Sequence, residues 1–269
     1  MNTNSQDQRR LSVVIPVFNE EATLENVVRK VLAVPDLLEV IIVDDGSRDA
    51  TAEVAAEIAA KNSRVRVERL ARNAGKTAAL RAGFALTQGD IVIVQDADLE
   101  YDPAEIHSVI EPILEGHADV VFGSRFLVRR ATRVLYFYHY VANKLLTFLS
   151  NAFTNLNMTD IETGYKAFRG DIIRNMIIVS SGFGFEVEAT AKIAKLGVPV
   201  YEVPISYYGR TYSEGKKISF KDGVVALWLV IRFNVFCTRR RSFRNFPEIS
   251  RRVPASQSRG AAGRGSAPL

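Results

Sequence analysis

The stretch IVIVQDADLEYDP, residues 91–103, joins three local signals of one α/β unit. Its first four residues are apolar and β-branched, which predicts a buried strand. Asp102 followed by Pro103 is typical of a helix N-cap with proline at the first helical position. Asp96 and Asp98 lie between the strand and the helix, and neither element requires them. The stretch therefore predicts a strand, a turn that carries ligand-binding carboxylates, and a helix.

Four further segments with the character of strands repeat this order along the chain. They occupy residues 11–17, 39–45, 64–70 and 118–124, and helical patterns separate them. Continuous apolar strands that alternate with helices predict an α/β fold with a mainly parallel sheet covered on both faces. Ligands bind beyond the carboxyl ends of the strands in such sheets. Polar segments follow four of the five runs, with the sequences PVFNEE, DDGS, QDADLE and GSRF.

Two long helical patterns follow residue 125, at 134–153 and 219–236. The first has two interpretations, a core helix or an interfacial helix whose aromatic rings lie between lipid tails and headgroups. The second is apolar almost all round, so other atoms must cover it. Arg232 and the arginines at 239–241 favour a membrane surface as part of that cover.

The composition is that of a globular protein with a basic C-terminus. The 269 residues are 47% hydrophobic and 24% charged, enough to form a sizeable core. The net charge of +5 comes from residues 239–269, which carry eight arginines and one glutamate, so the remaining residues carry −2. We expect a flexible N-terminus at 1–10 and a disordered basic tail at 239–269. The tail suits either solubility or adhesion to an anionic membrane.

Several features are not expected from this sequence. The longest uncharged run near the C-terminus, residues 223–231, is far shorter than the ~20 residues needed to cross a bilayer. The start of the chain does not resemble a signal peptide. The single cysteine, Cys237, excludes an intramolecular disulfide and fits a cytoplasmic enzyme. No basic face with interleaved aromatic residues indicates a nucleic-acid partner.

Asp96 and Asp98 are candidate metal ligands. Carboxylates two residues apart converge on one cation if the backbone bends between them, and the small residue Ala97 allows a ligand to approach. Glu100 is a candidate for a third ligand. Hard oxygen ligands suit Mg²⁺ or Mn²⁺, which complete their coordination with water and substrate phosphates. The alternative role, a helix cap, is already filled by Asp102.

At these motifs the chain resembles the GT-A glycosyltransferases of family 2, in particular the polyprenyl (dolichol) phosphate mannosyltransferase group. The resemblance rests on IPVFNEE at 15–21, VDDGSRD at 43–49 and DAD at 96–98. TDIETGYKAF at 159–168 and VPISYYGRTYSEGKK at 203–217 are similar to later blocks of that group.

The match covers residues 11–236 and implies a Rossmann-like GT-A domain at 11–238 with C-terminal amphipathic helices. Within this domain, residues 11–125 would bind the nucleotide sugar and metal, and residues 126–238 would face the acceptor and the membrane.

The resemblance also assigns residues to a donor site. The positions that line the nucleoside pocket are Pro16, Phe18, Glu20, Val43 and Asp45. Asp96, Ala97 and Asp98 match the metal and sugar-diphosphate positions. Phe18 stands in place of the usual tyrosine, and Glu100 stands where some relatives have glutamine. Three polar residues open the next helix, where they either attract phosphate or are solvated at the surface: Arg72, Asn73 and Lys76.

The acceptor side is basic in the resembling family. Arg125, Arg210 and Lys216 match phosphate-binding positions, which suits the planar fork of arginine and the mobile charge of lysine. Further basic candidates are Arg129, Arg130 and Arg133. Asp160 matches a family carboxylate that orients substrate or a basic side chain, and Glu162 is a second candidate for that role. Glu186 and Glu188 lie either near the cleft or on a solvated helix face. The catalytic set is Asp96, Asp98, Arg125 and Asp160.

The resemblance implies an inverting transfer of a hexose, mannose first, from GDP-mannose or a UDP-hexose to polyprenyl or dolichyl phosphate, with Mg²⁺ or Mn²⁺ on the leaving group. The enzyme would be cytoplasmic and peripheral on the cytoplasmic face of the membrane. Two alternatives stay open: a family 2 transferase with a carbohydrate or protein acceptor, and a non-catalytic nucleotide-sugar-binding membrane scaffold. The Q-x-x-R-W signature of processive polysaccharide synthases is absent, and the only tryptophan is Trp228.

Overall fold

A seven-stranded sheet forms the centre of the described chain. The computed structural model describes residues 10–127, 136–209 and 220–245. The strands, in chain order, are β1 (Leu11–Val17), β2 (Leu37–Asp44), β3 (Val65–Arg69), β4 (Ile91–Val94), β5 (Val120–Ser124), β6 (Lys166–Arg169) and β7 (Val200–Pro204). They lie side by side in the order β3-β2-β1-β4-β6-β5-β7. All neighbouring pairs are parallel except those of β6, which is antiparallel to both β4 and β5.

Helices cover both faces of this sheet, as the sequence predicts. The helices are α1 (Leu24–Val31), α2 (Thr51–Lys61), α3 (Lys76–Leu86), α4 (Ile106–Leu114), α5 (Phe137–Thr154), α6 (Gly170–Asn175), α7 (Phe185–Leu196) and α8 (Phe220–Ile231). One apolar core contains side chains of α1, α2 and α4, and the other contains side chains of α3, α5, α6, α7 and α8. The predicted Rossmann-like fold, a mainly parallel sheet between two layers of helices, is confirmed.

The helix start predicted at Asp102 and Pro103 is also confirmed. The Asp102 carboxylate accepts a hydrogen bond from the Ala104 amide at 3.2 Å, and Pro103 begins a short 3₁₀ turn that leads into α4. This cap fixes the point at which the chain leaves the turn after β4. Asp96 and Asp98 are thereby confined to the few residues between two rigid elements.

The sequence patterns predict neither β6 nor β7, and β6 determines how the site is assembled. Because β6 runs against β4 and β5, its amino end lies at the same edge of the sheet as their carboxyl ends. The residues just before β6, Asp160 and Glu162, therefore reach the edge that also carries the residues after β4 and β5. The strand order reverses beside β1, and a crevice at such a reversal is where open α/β sheets bind ligands.

The two predicted long helices correspond to α5 and α8, which pack against each other and against α7. Each also presents large apolar side chains to solvent. The exposed fraction is 69% for Phe137, 83% for Tyr138 and 67% for Phe148 on α5, and 55% for Trp228 on α8. Within the described ranges, no helix combines the length and apolar character needed to cross a bilayer.

The domain extends further than the predicted boundary at residue 239. Phe243 is buried and forms a bridge with Met176, and the carbonyl of Ser242 accepts a hydrogen bond from the amide of Ile177 at 2.9 Å. The reason is apolar burial, since Phe243 inserts into the core from a segment otherwise rich in arginine. The rest of the predicted tail, residues 246–269, and the predicted flexible residues 1–9 lie outside the described ranges.

Candidate active site

A cleft of about 380 Å³ opens at the carboxyl edge of the sheet. Its walls come from the ends of β1, β2, β4 and β5, the starts of α3 and α7, and the segment before β6. The residues that line it include Pro16, Phe18, Glu20, Asp45, Lys76, Asp96, Ala97, Asp98, Glu100, Tyr101, Arg125, Glu162, Gly164, Glu186 and Tyr207. The topology thus collects residues from motifs that are far apart in sequence into one cavity.

The loops after β1 and β2 are bonded to each other along one side of the cleft. Asn19 has a positive φ of 55°, and its amide donates to Ser47 Oγ at 3.0 Å while its Oδ1 accepts from the Arg48 amide at 2.9 Å. The Glu20 amide donates to Thr51 Oγ1 at 2.9 Å. These bonds fix the loop that carries Phe18 and Glu20, which line the cleft together with Pro16. Their role in binding a nucleoside stays a prediction.

Asp45 lines the cleft as predicted and also anchors the loop before α3. Its two carboxylate oxygens accept hydrogen bonds from the amides of Ala74 and Gly75 at 2.8 and 2.7 Å. Gly46 has a φ of 71°, and a Cβ at this position would lie 2.8 Å from the Asn73 nitrogen, so only glycine allows the two loops to meet. Asp45 therefore shapes the cleft through the backbone that it binds.

Val43 is placed differently from the prediction. Its side chain is fully buried in the apolar core and is not among the described residues that line the cleft. Side chains alternate between the two faces of a strand, and Val43, inside β2, points into a helix layer. Its neighbour Asp44 is also buried, accepts a hydrogen bond from the Ser47 amide at 2.9 Å and pairs with Arg69 at 3.1 Å.

Asp96 and Asp98 lie in the cleft directly after β4. Burial and then the charges of Asp96 and Glu100 raise the pKa of Asp98 to about 7, because several carboxylates are concentrated there. This surplus of negative charge and the hard oxygen donors fit a divalent cation such as Mg²⁺ or Mn²⁺. A Cβ on Gly164 would lie 2.6 Å from Asp96 Oδ2, so the chain before β6 also passes close to this group.

Glu100 lines the same cleft, but its carboxylate has another partner. The Tyr207 hydroxyl donates a hydrogen bond to Glu100 Oε2 at 2.9 Å. Among the described residues, no three histidine, cysteine or acidic side chains form a group that could hold a metal ion. The predicted three-carboxylate site is therefore not preformed, and Asp96 and Asp98 are the pair that could hold the ion with phosphate and water.

Lys76 belongs to the cleft and is not solvated at the surface. Its ammonium group lies 2.8 Å from Asp96 Oδ1 and 3.2 Å from Glu186 Oε1, and only 16% of the side chain is exposed. Burial alone would lower the pKa of Lys76, but the charges of Asp96 and Glu186 outweigh it and raise the pKa. Lys76 thus stays charged and fixes one carboxylate of the acidic pair.

Lys76, at the start of α3, and Glu186, at the start of α7, meet because hydrogen bonds join the amino ends of these two helices. The Thr77 amide donates to the Gly182 carbonyl at 3.0 Å, and the Phe185 amide donates to Thr77 Oγ1 at 3.1 Å. Of the two glutamates predicted on α7, Glu186 therefore faces the cleft. Glu188 is buried and bonded to Ser180 and Lys192, and it is not among the described residues that line the cleft. Neither glutamate lies on a solvated face, which was the alternative to a position near the cleft.

Glu162 and Glu186 are neighbouring acidic groups in the cleft wall. Burial and then the charge of Glu186 raise the pKa of Glu162 to about 7. Each has one buried oxygen, Glu162 Oε1 and Glu186 Oε2, without a hydrogen-bond partner among the described residues. Behind them Lys166 is fully buried and donates to the Ile161 carbonyl at 3.0 Å, and burial lowers its pKa to about 8.

Arg125 lines the cleft and is paired with the buried carboxylate of Asp160. Arg125 Nε and Nη2 donate to the two oxygens of Asp160 at 2.6 and 2.8 Å, a bidentate pair in which Asp160 is fully buried. Burial opposes ionisation of Asp160, but the Arg125 charge outweighs it and holds the pKa of Asp160 below its usual value. Asp160 therefore orients a basic side chain, one of the two roles predicted for it. The other predicted basic residues, Arg129, Arg130, Arg133, Arg210 and Lys216, lie outside the described ranges.

Two tyrosines that sequence analysis did not single out complete the cleft. The Tyr207 ring lies under the Arg125 guanidinium, 5.2 Å from Cζ to the ring centroid. Tyr101 stacks on Tyr165 at 5.3 Å, and its hydroxyl accepts a hydrogen bond from the Gly164 amide at 3.2 Å. Both tyrosines lie inside quoted motifs, Tyr101 directly after Glu100 and Tyr207 three residues before Arg210. This proximity to candidate site residues is the sequence signal that could have identified them.

Comparison with known proteins agrees with this geometry. Residues 12–177 match the family described as Glycosyl transferase family 2. The chain is 34% identical over 218 residues to the undecaprenyl-phosphate 4-deoxy-4-formamido-L-arabinose transferase of Aeromonas hydrophila; the match covers 79% of this chain but only 64% of that protein. It is 32% identical over 218 residues to the undecaprenyl-phosphate mannosyltransferase of Micrococcus luteus, covering 77% of this chain and 87% of that protein.

A solved structure has the same fold. Glucosyl-3-phosphoglycerate synthase from Mycobacterium tuberculosis, in complex with Mn²⁺, UDP and glucosyl-3-phosphoglycerate, superposes with a TM-score of 0.64 at 22% identity, covering 84% of this chain and 78% of that one. The fold, the motif order and the family match agree with one another. The chain belongs to glycosyl transferase family 2.

Proposed function

We propose that this protein transfers a hexose from a nucleotide diphosphate sugar to the phosphate of a polyprenyl lipid. The observation that carries the proposal is that one cleft is lined both by a pair of carboxylates and by a buried arginine. Asp96 and Asp98 line this cleft, and so does Arg125, which Asp160 holds; we call the region of the first two the acidic side and that of Arg125 the basic side. Such a cleft suits a reaction that joins two phosphate-bearing substrates, one of which must first be neutralised by a cation.

The donor would bind on the acidic side. Asp96 and Asp98 would hold Mg²⁺ or Mn²⁺, which when bound neutralises the diphosphate leaving group. Lys76 fixes Asp96 and supplies a permanent positive charge beside it. The bonded loops after β1 and β2 would receive the nucleoside against Pro16 and Phe18. The Mycobacterium tuberculosis structure with the same fold contains Mn²⁺ and UDP, which supports this assignment.

The acceptor would bind on the basic side. A monoester phosphate has a second pKa near ~6, so its oxygen is largely anionic at neutral pH and needs no protein base to attack. It needs a group that holds it in line with the bond that breaks. Arg125 suits this role because guanidinium carries five N–H donors, and its pairing with Asp160 leaves others for phosphate. One displacement of this kind inverts the anomeric centre.

The hexose would be mannose, carried by GDP, with a UDP-hexose as the other donor class. The name of the Micrococcus luteus relative, an undecaprenyl-phosphate mannosyltransferase, supports both mannose and a polyprenyl phosphate acceptor. The chain spans 87% of that relative but 64% of the Aeromonas hydrophila transferase, which acts on a different sugar. GDP-mannose is therefore the first donor to test.

The lipid acceptor requires a membrane-facing surface, and we assign it to the exposed sides of α5 and α8. Phe137, Tyr138 and Phe148 on α5 and Trp228 on α8 present apolar or aromatic rings to solvent. The exposed arginines at 239–241 add positive charge near the end of the domain. Aromatic rings with nearby cations are typical of peripheral binding to an anionic lipid surface, here the cytoplasmic face of the membrane.

A comparison of acceptors tests the reaction class. Labelled GDP-mannose and UDP-glucose are each incubated with the protein, Mg²⁺, and one of three acceptors: polyprenyl phosphate, polyprenol without phosphate, or a soluble glycan and peptide mixture. We expect label only in polyprenyl phosphate. Transfer to the glycan or peptide would replace the proposal with another family 2 acceptor, and donor binding without any transfer would indicate a scaffold.

A further inference from the structure

Helix α5 has a second face, opposite its exposed rings, that is polar and bonded to the segment before β6. Asn143 Nδ2 donates to Asp160 Oδ1 at 3.3 Å, and Asn143 Oδ1 accepts from Thr147 Oγ1 at 3.3 Å. Thr147 Oγ1 in turn accepts from the Ile161 amide at 3.4 Å. The helix therefore contacts both the side chain of Asp160 and the backbone beside it.

The same helix also contacts the residue after Arg125. The Lys144 ammonium lies 4.1 Å from the centroid of the Phe126 ring and donates to the Thr159 carbonyl at 3.1 Å. Tyr140 meets Phe126 edge to face at 5.3 Å. Arg125 and its partner Asp160 are thus each flanked by a residue that α5 holds, Phe126 on one side and Thr159 on the other.

Arg125 depends on these neighbours for its position. Two hydrogen bonds tie its guanidinium to Asp160, so any movement of the Asp160 carboxylate would also move the guanidinium. Asp160 is held at its backbone, where its amide donates to Glu202 at 3.2 Å, and at its Oδ1 by Asn143. Among the described residues, Asn143 is the helix side chain that bonds directly to the Asp160 carboxylate.

We propose that Asn143 and Lys144 are positioning residues for Arg125, so that the helix whose exposed side faces the lipid also fixes the group that captures the acceptor phosphate. This inference rests on the proposed function for the identity of the acceptor. A rigid link of this kind holds the guanidinium at a constant place relative to the surface from which a polyprenyl phosphate must enter. Misplacement of such a group costs of order 10²-fold in rate for shifts near 1 Å.

The test compares Asn143→Ala with Asn151→Ala. Asn151 lies on the same helix and bonds to the backbone of Met158 at 2.8 and 3.2 Å, without contact to Asp160, so its loss loosens the same segment. We expect Asn143→Ala to raise KM for polyprenyl phosphate at least ~10-fold and leave KM for the nucleotide sugar within ~2-fold. Asn151→Ala should lower thermal stability without that selective change. Equal changes in both KM values for Asn143→Ala would overturn the proposal.

A second measurement needs no turnover. Hydrogen exchange at the Arg125 Nε–H, followed by ¹⁵N NMR of the full chain, should be at least ~10-fold faster in Asn143→Ala than in the wild type, because a bonded N–H exchanges only after it opens. Lys144→Met, which keeps most of the side-chain length, provides a second variant and should change exchange in the same direction. Unchanged exchange in both folded variants would contradict the positioning role. If the wild type transfers no sugar, the proposed function fails, while this exchange comparison still decides the positioning.

Discussion

Replacing Asp160 with asparagine tests the buried pair on the basic side of the cleft. Asp160 is fully buried and Arg125 is 13% exposed, and two hydrogen bonds of 2.6 and 2.8 Å join them. Asparagine keeps the size of the side chain but leaves the guanidinium charge without its partner. Loss of one member of a buried ion pair costs about 3–5 kcal/mol, whereas an exposed pair is worth about 0–1 kcal/mol. For a domain of this size, the buried figure corresponds to a fall in Tm of about 6–20 °C.

Urea unfolding of the wild type, Asp160→Asn, Arg125→Met and the double variant gives the coupling energy directly. The double variant should be more stable than Asp160→Asn, because it no longer buries an unpaired charge. The pH dependence has a defined sign: the folded pKa of Asp160 lies below its usual 3.8, so the pair stabilises the fold above that pH and its contribution disappears as the pH falls through the folded pKa. A loss below about 1 kcal/mol in Asp160→Asn at pH 7 is the value of an exposed pair and would show that the two charges are not coupled as a buried ion pair.

Three further predictions concern two residues of the cleft and the exposed side of α5. The folded pKa of Glu162, about 7, exceeds its usual value of 4.5, so the stability that protonated Glu162 contributes is lost as the pH rises between these values. Glutamine does not titrate, so Glu162→Gln should gain stability relative to the wild type between pH 5 and pH 8, as measured by urea unfolding. A stability difference that stays constant over this range would contradict the raised pKa. Lys76→Met should weaken nucleotide-sugar binding about tenfold, as measured by calorimetry, because the negative charges of Asp96 and Glu186 lose their positive partner. Lys61→Met removes an exposed lysine and serves as the control, with unchanged binding expected. Phe148→Glu should reduce sedimentation with anionic vesicles about tenfold, and equal sedimentation would place the lipid surface elsewhere.

The sequence predicts most of the fold because most of its strands are continuous apolar runs that can be recognised directly. The runs that became β1, β2, β4 and β5 are continuous and apolar, and capping by Asp102 and Pro103 marks the next helix. Strand β6 was missed because its four residues, KAFR, include the buried Lys166, whose charge hides the strand in a search for apolar runs. Lys166 is tolerated there because the Ile161 carbonyl and nearby carboxylates compensate it.

The sequence predicts part of the candidate site, because several of its residues follow recognisable strands or belong to motifs. Asp96, Asp98, Arg125 and Asp160 follow strands or stand in motifs, and they lie in one cleft or contact its lining residues. Lys76 could equally have been a solvated lysine, because only the tertiary structure brings Asp96 and Glu186 to it. Membership of a motif predicts Val43 in the pocket, but Val43 lies inside β2 and its side chain packs in the apolar core, whereas Asp45 lies just beyond the end of the strand and reaches the cleft.

We propose that a sugar moves to a polyprenyl phosphate in a cleft where Asp96 and Asp98 hold a divalent cation. The most direct measurement is the transfer of label from a nucleotide sugar into the organic phase in the presence of polyprenyl phosphate and Mg²⁺ or Mn²⁺. We expect product with the wild type, none after EDTA treatment, recovery when the metal is restored, and none with Asp98→Ala. Absence of organic-soluble product with every donor, or product that Asp98→Ala and EDTA leave unchanged, would contradict this proposal.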